Sequence, residues 1–108
     1  MAEKIAELNK NGNEVTRNWQ EITSDVTSNN GYKAPHNMWG QIRGFLTSTG
    51  VYIAYIDIDG GHTHSAFTGY SNANYQINHY FYIRKGEVVK TNTANNLSQV
   101  TYYAIRVD

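Results

Sequence analysis

Val51-Tyr52-Ile53-Ala54-Tyr55-Ile56-Asp57-Ile58 is built mostly from β-branched and aromatic residues, the composition of a strand. Side chains alternate across a strand, so Tyr52, Ala54, Ile56 and Ile58 share one face. Val51, Ile53, Tyr55 and then Asp57 share the other. Apolar residues on both faces imply a central strand that is covered on both sides. In a small two-layer protein the second face needs a cover, and a neighbouring subunit is one candidate.

Reading outward, Gly60-Gly61 breaks this strand, and residues 62–66 are ambiguous. Upstream, residues 41–47 form a candidate strand ended by Ser48-Thr49-Gly50. Downstream, residues 76–84 alternate cleanly. Ile77, His79, Phe81 and Ile83 fall on one side, and Asn78, Tyr80, Tyr82 and Arg84 on the other. Lys85-Gly86 reads as a hairpin turn into a strand over 87–91. Thr93-Ala94-Asn95-Asn96 reads as another turn. The last strand covers 99–107, with Val100, Tyr102 and Ala104 opposite Thr101, Tyr103 and Ile105. Strands of this length and spacing predict an all-β chain, a compact antiparallel β-sandwich or jelly-roll-like domain over residues 29–108.

Residues 1–28 read as an attachment or oligomerisation segment with two possible forms. Asn11-Gly12 is a strong two-residue hairpin signal between residues 4–8 and the return beginning at Glu14-Val15. Alternatively, Ile5, Leu8, Gly12, Val15, Trp19, Ile22 and Val26 repeat at heptad spacing and would form a stalk helix. Gly12 and its asparagine neighbours count against the helix.

The chain has 108 residues, so it fits one domain. It has no cysteine, which excludes disulfides, zinc–thiolate sites and thiol catalysis. Lys+Arg equals Asp+Glu at nine each, so no basic footprint for nucleic acid exists. No apolar run approaches the ~18 residues of a membrane span, and no apolar signal core follows Met1. Charged residues are only 17%, while tyrosines number nine against three phenylalanines. Amides, hydroxyls and phenols therefore keep the surface wet.

Two constellations could carry chemistry. Asp57-Ile58-Asp59-Gly60-Gly61-His62-Thr63-His64 is the densest run of functional groups. Its carboxylates and imidazoles could hold a divalent metal, or it could be a strand end with a polar turn. The second constellation is aromatic: Tyr80 and Tyr82 on one strand face, with Trp19, Trp39, Tyr55, Tyr70 and Tyr75. Rings beside Asp, Asn, Arg and His suit a saccharide, whose C–H face stacks while its hydroxyls bond polar neighbours. Catalysis has little support. Ser65, His64 and Asp59 lack a nucleophile elbow. Asp57 and Asp59 sit on one strand face and not across a cleft. His79, on the apolar side of its strand, reads as a hydrogen-bonded core histidine.

The order of short motifs resembles a known family. Trp19-Gln20-Glu21-Ile22-Thr23 is followed by Asn30-Gly31-Tyr32 and Trp39-Gly40-Gln41-Ile42-Arg43. Then come Gly50-Val51-Tyr52-Ile53, Ile58-Asp59-Gly60-Gly61, Arg84-Lys85-Gly86-Glu87-Val88 and Thr101-Tyr102-Tyr103-Ala104-Ile105. This is similar to the C-terminal receptor-binding (head or tip) domains of bacteriophage tail-fibre and baseplate proteins. A Leu-Pro-x-Gly-Tyr segment common there is reduced to Gly69-Tyr70. The resemblance implies a non-enzymatic homotrimer on the virion, made in the host cytoplasm without a signal peptide, that touches other virion proteins and binds bacterial surface saccharide. Trp39, Tyr55, Asp57, His62 and Tyr82 are the expected ligand contacts. No cofactor is required, but in a trimer His62 and His64 near the three-fold axis could offer six imidazoles to a divalent ion. A virion decoration protein without ligand and a small glycan-active hydrolase using Asp57 or Asp59 are the alternatives.

Overall fold

A computed structural model describes residues 4–8, 14–58 and 63–107, with the backbone alone for 4–8, 14–17 and 63–66. The chain is nearly all β. Its strands are β1 (Lys4–Leu8), β2 (Glu14–Asn18), β3 (Gln20–Glu21), β4 (Tyr32–Lys33), β5 (Met38–Leu46), β6 (Gly50–Ile58), β7 (Thr63–Ser71), β8 (Gln76–Ile83), β9 (Val88–Asn95) and β10 (Leu97–Arg106). One helical turn, α1 (Thr23–Val26), joins β3 to β4.

Strands β3-β10-β5-β8 form one antiparallel sheet and β4-β9-β6-β7 the other. Most links between the sheets are short, including residues 47–49, 72–75 and 84–87 and Asn96 alone. Such short links hold sequence neighbours together in space. Thus β3 stands against β4, β10 against β9, β5 against β6 and β8 against β7. That strand order is a jelly roll, a two-sheet β-sandwich.

The sandwich fills from residues that alternate inward. Ile42, Ala54, Ile56, Ile58, Phe81, Ile83, Val89, Tyr102 and Ala104 form one buried cluster with Ile22 and Val26. Ile22, just before α1, and Val26, its last residue, thus pack in the sandwich core although they lie within residues 1–28. Upstream, β1 and β2 pair antiparallel from Lys4↔Asn18 to Leu8↔Glu14. The hairpin is thus the form adopted, and its Asn11-Gly12 tip lies outside the described residues.

One ambiguity is resolved and two expectations are corrected. Residues 63–71 form an edge strand although their sequence shows no apolar alternation. Register sets Thr63, Ser65, Phe67 and Gly69 opposite Ile58, Ile56, Ala54 and Tyr52. A glycine is needed at position 69, because a Cβ there would stand 2.7 Å from the Tyr52 hydroxyl. Lys85-Gly86 does not make a hairpin: β8 and β9 lie in different sheets. The turn closes through Glu87 N–H to the Arg84 carbonyl (3.0 Å), while Ala34 N–H donates to the Glu87 carbonyl (2.9 Å) and carries the chain to the second sheet. Finally, Thr93 to Asn95 continue β9 past a bulge, where Ala54↔Ala94 and Ile56↔Thr91 leave one extra residue. Polar Asn92 and Thr93 look like a turn in sequence and are a strand irregularity in space.

Candidate functional site

The outer face of the β3-β10-β5-β8 sheet is assembled by alternation. On β5, Met38, Gly40, Ile42, Gly44 and Leu46 are buried, so Trp39, Gln41, Arg43 and Phe45 point outward. Register then sets rows across the sheet. Ile105, Trp39 and Tyr82 form one; Glu21, Tyr103, Gln41 and Tyr80 the next; Thr101, Arg43 and Asn78 the third.

Five aromatic rings crowd these rows. Trp39 and Tyr82 meet edge to face with centroids 5.5 Å apart, a favoured aromatic geometry. Both are exposed, at 45% and 42%. The Trp19 ring centroid is 6.1 Å from that of Tyr80. Trp19 directly precedes β3, which lies three strands from β8, or about 14 Å at ordinary strand spacing. The indole must therefore reach inward over the sheet. Beneath this aromatic layer Gln41 is only 4% exposed, and both ends of its amide are satisfied. Gln41 Nε2 donates to the Tyr80 hydroxyl at 3.1 Å, and Arg43 Nε donates to Gln41 Oε1 at 3.0 Å. The Arg43 guanidinium lies 4.5 Å from the centre of the Tyr103 ring, a cation–π contact. The result is a fixed platform of rings, amide and guanidinium. Flat apolar faces next to anchored donors can stack a sugar ring and bond its hydroxyls.

The expected ligand residues do not form one site. Trp39 and Tyr82 come together on this face. Tyr55 and Asp57 project from the outer face of the opposite sheet, with the core between, because they alternate with buried Ala54, Ile56 and Ile58 on β6. Packed sheets are roughly 10 Å apart, so one small ligand cannot touch both outer faces. Asp57 Oδ1 accepts a hydrogen bond from Asn92 Nδ2 at 3.0 Å. His64 takes the ladder position opposite Asp57. His62, Asp59 and the His64 side chain lie outside the described part of the chain. Among the described residues no group of three His, Asp or Glu side chains converges.

Sequence reasoning did not rank Gln41 and Arg43. Their signal is present: small Gly40 and Gly44 alternate with large polar or aromatic neighbours, which sets Trp39, Gln41, Arg43 and Phe45 together on one face of β5.

On the inner side, His79 Nε2 lies 2.7 Å from the Tyr52 hydroxyl, and its ring stacks on Phe67 at 5.2 Å. Burial lowers the imidazole pKa from its ordinary 6.5. The unfolded chain then takes up the proton more readily than the folded one. His79 contributes its full stability above about pH 6.5 and loses it as pH falls through the lower folded-state value. Melting temperature should therefore fall between pH 7.5 and 5, and His79→Gln should flatten that fall. An unchanged slope in the variant would assign the acid sensitivity elsewhere.

No protein-family model matches the chain, and neither a curated protein nor a solved structure matches it. Among the described residues no helix is long and apolar enough to cross a membrane.

Proposed function

We propose that this chain is the tip domain of a phage fibre or baseplate protein that adsorbs to saccharide on the bacterial surface, without catalysing a reaction. The observation that carries this reading is the aromatic and amide platform on the β3-β10-β5-β8 sheet. Exposed Trp39 and Tyr82 offer stacking faces, and the neighbouring Gln41–Arg43–Tyr80 chain holds polar groups in place. Such a surface binds a sugar weakly, so adsorption gains from several copies acting together.

A homotrimer is the assembly this reading favours. On the opposite sheet Val51 is 65% and Tyr70 72% exposed, and they sit across the ladder from one another. Sister copies related by rotation would cover that face and leave the platform outward.

Binding to bacterial cells and to an array of bacterial glycans tests the reading, on material whose mass is set by light scattering. Labelling of a narrow set of strains by a three-chain particle is expected. The double variant Trp39→Ala, Tyr82→Ala should lose about tenfold or more in affinity, the scale of one buried aromatic face. Undiminished labelling by that variant would remove the platform from the binding site. A single-chain mass would remove the trimer.

A further inference from the structure

We infer that the platform takes an anionic saccharide, with the sugar's acidic group seated on Arg43; this rests on the saccharide reading above and adds the class of ligand. Arg43 is half-buried at the middle of the sheet. Its Nε is committed to Gln41 Oε1, and its flat face is held on Tyr103. Among the described residues no hydrogen bond or ion pair takes its two terminal nitrogens. Glu21, the acid that register places on this face, belongs to the adjacent row and stands two strands away on β3.

A guanidinium held on both Nε and ring face, with no counter-charge among the described residues, is oriented for an incoming anion. Its terminal donors form a flat fork that matches carboxylate or phosphate oxygens. The fork lies in a row with Thr101 on one side and Asn78 on the other. Three adjacent strands span about 10 Å, the reach of one to two sugar rings. Thr101 and Asn78 make no described side-chain hydrogen bond, so a hydroxyl and an amide stand ready beside the charge. Tyr80 and Tyr103 border the row on one side and Phe45 on the other. A sugar carrying one acidic group and several hydroxyls satisfies all of these groups at once.

The probes are an immobilised uronic-acid polysaccharide, the same polymer with its carboxyl groups reduced to alcohols, a phosphate-bearing teichoic-acid polymer, and the bacterial glycan array. The wild-type chain is expected to bind at least one acidic polymer about tenfold or more tightly than the carboxyl-reduced polymer, the scale of one charged hydrogen bond. The uronate and phosphate arms identify the anion. Arg43→Gln should abolish the preference, and Arg43→Lys should keep part of it, since the charge remains and the fork is lost. Asn78→Ala, at an exposed position, should weaken acidic-polymer binding with an unchanged melting temperature. Equal binding of acidic and reduced polymers, or a preference that survives Arg43→Gln, would overturn the inference while leaving the saccharide reading intact. Absence of binding to every glycan would overturn both.

Discussion

Gly40→Ala should destabilise the domain by about 3 kcal/mol, the upper part of the usual range for overpacking a filled core. The cause is local. A Cβ at residue 40 would stand 2.3 Å from Phe81 Cε2 and 2.5 Å from Phe81 Cζ. Phe81 is 5% exposed and packed in the main cluster, so its ring has nowhere to retreat. Gly40 and Phe81 face each other across the β5–β8 ladder, and the ring lies over the missing side chain. For a domain of this size the loss corresponds to a fall of roughly 12–24 °C in melting temperature. Phe81→Leu should cost stability on its own but recover part of the loss in the Gly40→Ala background. Urea melts of the two single variants and the double variant measure that coupling. Simple additivity would show that the contact does not set the requirement for glycine.

Asn96→Ala should cost about 2–3 kcal/mol, from lost hydrogen bonds and backbone strain together. Asn96 forms the whole link between β9 and β10 with φ 62°, a left-handed conformation that asparagine tolerates better than alanine. Its Oδ1 accepts from the Thr47 hydroxyl and from both the Ser48 N–H and hydroxyl at 2.9 Å. Its Nδ2 donates to the carbonyls of Ser48 at 2.8 Å and Val51 at 3.2 Å. One side chain thus fastens the β9–β10 link to the β5–β6 turn. Asn96→Gly removes the same hydrogen bonds without the strain, so it should be about 1 kcal/mol less damaging than alanine. Denaturant midpoints of the three proteins decide this. Glycine no better than alanine would show that the backbone conformation carries no cost.

These two positions also show where sequence reading succeeds and where it stops. Residues 51–58, 76–83 and the inward Tyr102 and Ala104 were legible because a buried face imposes period two on large apolar residues. The strand Thr63–Ser71 was not, since its inward positions are filled partly by the Tyr52 and His79 rings reaching across from other strands. A small residue that accommodates a neighbour's bulk leaves no apolar signal. The Thr93 to Asn96 segment misled for a related reason. Asparagine marks turns locally, but pairing with β6 keeps Ala94 and Asn95 in the strand.

For the site, alternation alone sets Tyr80 and Tyr82 on one face of their strand. The grouping of Trp39 with Tyr82 and the separation of both from Tyr55 and Asp57 required the strand order. Within the sandwich every pair of consecutive strands except β6 and β7 lies in opposite sheets, so nearness along the chain misjudges nearness in space. Gln41 illustrates the same limit. A glutamine on an outer face should be wet, but Gln41 stands between Tyr103 and Tyr80 across the sheet with its amide bonded to Tyr80 and Arg43.

The chain has two tryptophans, and both stand on the platform. Their emission therefore reports on that surface alone. Fluorescence titration with oligosaccharides released from a strain that the protein labels is the most direct measurement of the central claim. A saturable change in wild-type emission, largely lost in Trp39→Phe, is the expected result. Emission unchanged at concentrations that block cell labelling would contradict it, by placing the receptor on another face of the molecule.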